Sequence, residues 1–169
     1  MFSTPPTAMT PAQRLDSAYR YRDEDKFAEA WAEMQAVPKS VRGERRYLSL
    51  VASVAPALGK WHEAAEANRQ LVRLEPSSIL HWMSLGAAVR YSVGPLAAAD
   101  VYIEASLHVR GKICFPYAYA ACLCEAGRVG EARCVLHHVL EREPRMLQNA
   151  LDDGRFEPLT DMLFLEDDE

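Results

Sequence analysis

Two stretches of the chain have the same length and the same ends: GKWHEAAEANRQLVRLEP, Gly59 to Pro76, and GRVGEARCVLHHVLEREP, Gly127 to Pro144. They stand 68 residues apart, and Glu63/Glu131, Ala64/Ala132 and Glu75/Glu143 keep that offset. Half of 68 is also a working step: Ala30, Ala64, Ala98 and Ala132 form a series 34 residues apart. A fixed period of roughly 20 to 50 residues marks an array of small units, none of which hides its apolar surface alone. No single residue restricts the fold as much as this period does.

Each unit divides into two helical stretches. In SILHWMSLGAAVRY, Trp82, Leu85, Gly86 and Val89 fall on one stripe. Gly94–Pro95 then breaks the chain, and Pro95 suits the first position of a new helix. LAAADVYIEASL follows, with Ala98, Tyr102 and Ala105 on one face. Small residues at Gly86 and Ala98 let the two helices approach closely, while Trp82 and Tyr102 fill the space beside them. Thr10-Pro11-Ala12-Gln13 reads as a capping box. Gly59 and Gly127 stand where a helix ends in a left-handed residue, and Ser77 or Ser78 can cap the helix after Pro76.

The expected helices are 11–23, 27–37, 42–58, 61–75, 78–92, 95–109, 115–126 and 129–142. Pro56 should bend the end of the third, because it removes a bond to the Ala52 carbonyl. One more helix, from Phe156 to Leu165, is expected to cover the open end of the array. Residues 1–10, Pro- and Thr-rich, read as a disordered segment. Residues 11–144 are the repeat domain, and 145–169 are a capping segment with a frayed acidic tail.

Charge and composition exclude several classes. A net charge of −5 argues against a nucleic-acid surface, which needs basic residues. The longest uncharged runs, such as Tyr47 to Gly59, fall short of the roughly 18 apolar residues of a membrane helix. The N-terminus has no basic start and no apolar core of the secretory kind. The four cysteines, Cys114, Cys122, Cys124 and Cys134, crowd the last third instead of being spread as staples. Four free thiols in a reducing cytoplasm are the expectation.

The 34-residue period, Trp82–Leu85–Gly86, Gly59-x-Trp61-x-Glu63-Ala64 and the closing Pro76 resemble tetratricopeptide repeats. The resemblance covers residues 11 to 144. It is weaker in the first unit, with Asp25 where glycine is common and Arg42 in place of the closing proline. The third unit has Arg110 in the proline's place. The resemblance implies an all-α, right-handed superhelical solenoid of four helix-turn-helix repeats plus a C-terminal capping helix. It further implies a concave groove, lined by the first helix of each hairpin, that binds a peptide or helix of a partner protein. The groove residues expected to carry this are Tyr19, Arg22, Arg46, Leu80, Met83, Arg90, Tyr91 and Tyr117. Tyr and Arg are enriched at binding hot spots, and Met suits adaptable contacts. The alternative is that Leu80, Met83 and Tyr117 only fill a tightly wound interior.

Co-chaperones of this family hold an acidic C-terminal peptide with groove Lys, Asn and Arg residues. The matching places here are Leu15, Tyr19, Leu50, Leu80 and Ser84, none of which donates strongly to a carboxylate. CFPYAYAACLCEAGRVGEA is also similar to the small chaperones that hold translocators in type III secretion, which implies an apolar client as a second reading.

Other chemistry has less behind it. Cys134, His137 and His138 share one helix face and are zinc-ligand types, but no partner pair completes a set of four. Cys122 and Cys124 point about 200° apart on a helix. No phosphate-binding glycine loop, Gly-x-Ser-x-Gly or His-Glu-x-x-His occurs. The expectation is a binding protein with no cofactor, no metal and no reaction. Its partner is a protein or peptide rather than nucleic acid or membrane, and self-association is left open.

Overall fold

A helix begins where something satisfies its first free N–H groups. At the start of the chain Thr10 does this. Its hydroxyl accepts from the Gln13 N–H at 3.2 Å, and the Gln13 side chain accepts from the Thr10 N–H at 2.8 Å. The computed structural model describes residues 9–160, which contain helices and no strand. The chain divides into two compact units between Leu74 and Glu75. The first holds α1 (Pro11–Asp23), α2 (Phe27–Gln35), a 3₁₀ turn (Lys39–Val41), α3 (Arg45–Val54), a 3₁₀ turn (Pro56–Leu58) and α4 (Trp61–Leu74). The second holds α5 (Ile79–Ser92), α6 (Pro95–His108), α7 (Cys114–Glu125), α8 (Val129–Arg142), α9 (Met146–Asp152) and a 3₁₀ strap (Gly154–Leu159). Within the first, α1 packs on α2 and α3 on α4. Within the second, α5 packs on α6, α6 on α7, α7 on α8, and the strap mainly on α7. Among the described residues no helix is long and apolar enough to cross a membrane.

The 34-residue step is written into the backbone. Four hairpin turns are each closed by an N–H bonded to the carbonyl five residues back: Lys26 to Tyr21 (2.8 Å), Lys60 to Ala55 (2.9 Å), Gly94 to Val89 (3.1 Å) and Arg128 to Leu123 (2.9 Å). Donors and acceptors both advance by 34. Such a bond ordinarily needs a left-handed residue just before the donor. Asp25 (φ 56°), Gly59 (φ 68°) and Gly127 (φ 76°) supply it. The third turn has Val93 in that place, at φ −122°, and the positive φ moves one residue on, to Gly94 at 136°. A β-branched residue is strained in the left-handed region, so the turn shifts rather than force Val93 into it. After each turn Ala30, Ala64, Ala98 and Ala132 are fully buried.

Packing inside the hairpins follows a second register. Gly86 and Tyr102 are 16 residues apart, as are Ala18/Met34, Ala52/Asn68 and Ala120/Leu136. A methyl group on Gly86 would sit 2.2 Å from the Tyr102 ring, so the ring occupies the space a side chain would need. Trp82, Leu85 and Val89 are buried beside it, and the Trp82 ring nitrogen donates to the Pro76 carbonyl at 2.8 Å. Asn68 is the one buried polar residue among those described. Its amide nitrogen donates to the Ala64 carbonyl at 2.9 Å, and its Oδ1 has no partner.

Three elements depart from the sequence reading. The third helix runs from Arg45 to Val54 rather than over 42–58. Glu44 is extended (φ −72°, ψ 142°), and Pro56 ends the α-helix outright and opens a 3₁₀ turn instead of bending it. The helix α9 was not anticipated; its seven residues start at Arg145, which makes no side-chain cap. Where a helix was expected from Phe156, residues 154–159 form the 3₁₀ strap, started by the Asp153 carboxylate accepting from the Arg155 N–H at 3.2 Å. Residues 161–165 of that helix, residues 1–8 of the N-terminal segment and the acidic tail lie outside the described residues.

Gly86→Ala should cost about 3 kcal/mol by overpacking, read as a lower urea midpoint. Adding Tyr102→Leu, which copies the Ala120/Leu136 pair, should recover much of the loss; an unchanged deficit would show that the ring is not the obstacle. Asn68→Leu is near-isosteric and removes an unpaired buried acceptor, so it should raise stability by about 1 kcal/mol in the same assay.

Candidate functional site

The groove residues expected from the sequence fall into three groups. In the first unit Tyr19 on α1 is held between two cations. The guanidinium carbons of Arg22 and Arg46 lie 4.7 and 5.2 Å from its ring centre. Its hydroxyl donates to the Arg46 carbonyl at 3.0 Å. Arg46 is ion-paired with Asp16, and Arg22 bonds Asp23 at 2.6 and 2.9 Å. The three residues do meet, but each guanidinium is already matched by a carboxylate.

In the second unit, Leu80, Met83, Arg90 and Tyr91 share α5. Leu80 and Tyr91 are eleven residues apart, close to three full turns, so they lie on one line along the helix. They are 70% and 55% exposed, although the opposite stripe of the same helix is core. Met83 and Arg90 are half-buried beside that line. Arg90 makes a two-pronged bond to Glu125 of α7, at 2.6 and 2.8 Å, and lies 4.7 Å from the Tyr91 ring centre. This pair fixes the guanidinium and leaves its flat side against the tyrosine. The surface of α5 is therefore apolar and aromatic, with its charge neutralised.

Tyr117, on α7, is covered by the chain itself. Phe156 of the strap is buried with its ring edge-on to Tyr117, centres 5.3 Å apart. The Tyr117 hydroxyl is 3.1 Å from the Asn149 carbonyl and 3.2 Å from the Asp153 carboxylate. Burial and the Asp153 charge both raise its pKa. Arg155 grips Asp153 from the other side, through Nε at 2.8 Å and Nη2 at 2.5 Å. Burial pushes the Asp153 carboxyl up, but the side-chain and backbone bonds from Arg155 outweigh it and hold the carboxyl below its ordinary value. Phe156 and Leu159 join Ala121, Cys124, Leu136 and Leu140 in one buried cluster.

A concavity that no sequence motif marks lies in the first unit, between α2, α3 and α4, with a volume of about 560 Å³. Trp31 and Gln35 of α2, Tyr47 and Val51 of α3 and Glu63 and Glu66 of α4 are among its walls. These residues come from separate helices, and only folding assembles them.

The thiols are free. Cys122 and Cys124 are buried, Cys114 is half-buried and Cys134 is exposed. Burial pushes the Cys122 thiol up to about 11 and raises Cys114 and Cys124. His137 and His138 both approach Glu141, at 3.3 and 3.5 Å. Among the described residues no three His, Cys, Asp or Glu side chains are placed to hold a metal ion. The chain matches no family model and no curated protein.

Two measurements check this geometry. At pH 8 a thiol reagent should label Cys134 fast and leave Cys122 and Cys124 untouched until the protein is denatured; rapid labelling of more than two sites would contradict the burial. Because the Asp153 pKa is depressed in the folded state, its contribution to stability is complete above the unfolded value of about 4. It is lost as pH falls through the lower folded value. Asp153→Asn should therefore flatten the acid limb of a stability–pH curve below about pH 4, with the native chain as the reference.

Proposed function

We propose that the chain is a tetratricopeptide-type scaffold that binds a peptide or helix of a partner protein, without catalysis. The finer form of the all-helical fold is then the right-handed solenoid that such repeats build. The observation that carries this reading is α5, a helix apolar on both sides. Its inner stripe is needed for the core, whereas Leu80 and Tyr91 contribute nothing to it at 70% and 55% exposure. Single exposed apolar residues need no explanation, but a row on one helix is what a partner's apolar face would cover. Met83 beside them is adaptable, and the Arg90–Glu125 pair keeps the row from carrying a net charge.

The repeat itself supports the reading, through four turns with the same bond at a 34-residue step. Tyr19, Arg22 and Arg46 form a second polar-aromatic patch in the first unit and belong to the proposed binding surface. Tyr117 takes part from beneath, by anchoring the strap.

The test uses affinity capture with the full chain, compared with Leu80→Glu/Tyr91→Glu. Both positions are exposed, so the variant should keep the native circular dichroism spectrum and melting point. A partner confirmed by direct titration with the purified chain should bind the variant at least about tenfold more weakly, roughly 1.4 kcal/mol or more. Equal binding to both proteins would refute the α5 surface.

A further inference from the structure

The cleft between α2, α3 and α4 belongs wholly to the first unit and has a chemistry of its own. Its volume, about 560 Å³, is in the usual range for a site that takes a small ligand or a few side chains. The floor is apolar: Tyr47, Leu48 and Val51 are buried on α3. On α4, Lys60, Glu63, Glu66 or Ala67, and Gln70 recur every three or four residues along one wall. That wall is about 15 Å long.

Charge decides what the cleft suits. Arg42 is part of its frame: Nε donates to the Val37 carbonyl at 3.1 Å and Nη2 to the Gln35 carbonyl at 2.7 Å, with Tyr47 beside it. The Lys60 ammonium rests 5.3 Å from the Trp31 ring centre. The carboxylates are less engaged. Glu63 has no ion pair among the described residues, and Glu66 has only exposed contacts, Arg69 at 3.7 Å and the Gln70 amide at 3.2 Å. The charge left open to a ligand is therefore negative, set above an apolar and aromatic floor.

We propose that this cleft binds an apolar segment of another protein that carries an arginine. Glu63 and Glu66 are the charge partners of the arginine, and Tyr47, Leu48 and Val51 receive its apolar neighbours. A planar guanidinium can bond both oxygens of one carboxylate or bridge two, which suits two acids one helical turn apart. The occupant comes from another chain, because the residues outside the described part, MFSTPPTA and DMLFLEDDE, contain no Lys or Arg.

The site is distinct from α5, and its test separates the two. The probes are N-acetyl-Leu-Arg-Leu-amide and N-acetyl-Leu-Glu-Leu-amide, titrated into the ¹⁵N-labelled full chain while backbone amide shifts are followed. The arginine probe should shift amides of α2, α3 and α4 saturably, with a Kd of about 1 mM or below, and the glutamate probe should not. Glu63→Gln/Glu66→Gln changes only exposed side chains, and it should weaken the arginine probe by about tenfold, consistent with loss of charge-assisted bonds. Equal binding of the two probes, no saturation at all, or an unchanged Kd in the variant each overturns the proposal. Shifts confined to α5 would also overturn it while leaving the α5 surface intact.

Discussion

Every hairpin in the chain turns on one backbone hydrogen bond, from an N–H to the carbonyl five residues back. It is longer in register than the helix bond and can close only if the chain bends back on itself. Once closed, it sets the start of the next helix, so the alanine four residues after the donor arrives at the inner face. The rest of the packing depends on that delivery. The turn tolerates Asp25 because aspartate is among the few side chains that enter the left-handed region readily. Val93 is not among them, and the chain answers by moving the positive φ to Gly94. The bond survives, and the residue that allows it changes.

The hairpins share a frame and differ in how they fill it. One position in each pair is small and its mate varies: Met34, Asn68, Tyr102 and Leu136. The largest mate, Tyr102, stands opposite the only glycine of the small series, which is why its ring can lie directly over the backbone. Burial pushes the Tyr102 hydroxyl up to about 12, so it stays neutral through the physiological range. Asn68 keeps an unpaired oxygen in the interior, where an aliphatic residue would cost less. The frame thus accepts very different contents, as expected when backbone geometry rather than side-chain identity repeats.

The repeat, the turns and most helix limits were legible in the sequence because each depends on a local signal: a capping box at Thr10, glycine at 59 and 127, proline at 95. The misplaced elements had weaker or conflicting signals. In RGERRY nothing local says that Glu44 is extended and Arg45 helical, and around Met146 no cap announces a helix of seven residues. The candidate surface was harder to read for a different reason. Leu80 and Trp82 are both apolar in a helix that is apolar all round, so periodicity could not say which one faces out. Tyr117 looked like its neighbours, and its cover came from a segment about 35 residues further on. The cleft of the first unit needed three helices to meet before its acids and rings shared a wall.

The strap has a consequence for how the protein is made. Helices α7 and α8 are synthesised before Phe156 and Leu159, which complete their shared core. A ribosome adds roughly 5–20 residues each second, so the apolar face of α7 waits uncovered for a time set by translation rather than by folding. The first unit has no such wait, because all its helices precede residue 75. Rare codons between α8 and the strap would lengthen the exposure of a half-finished core without altering one atom of the final structure.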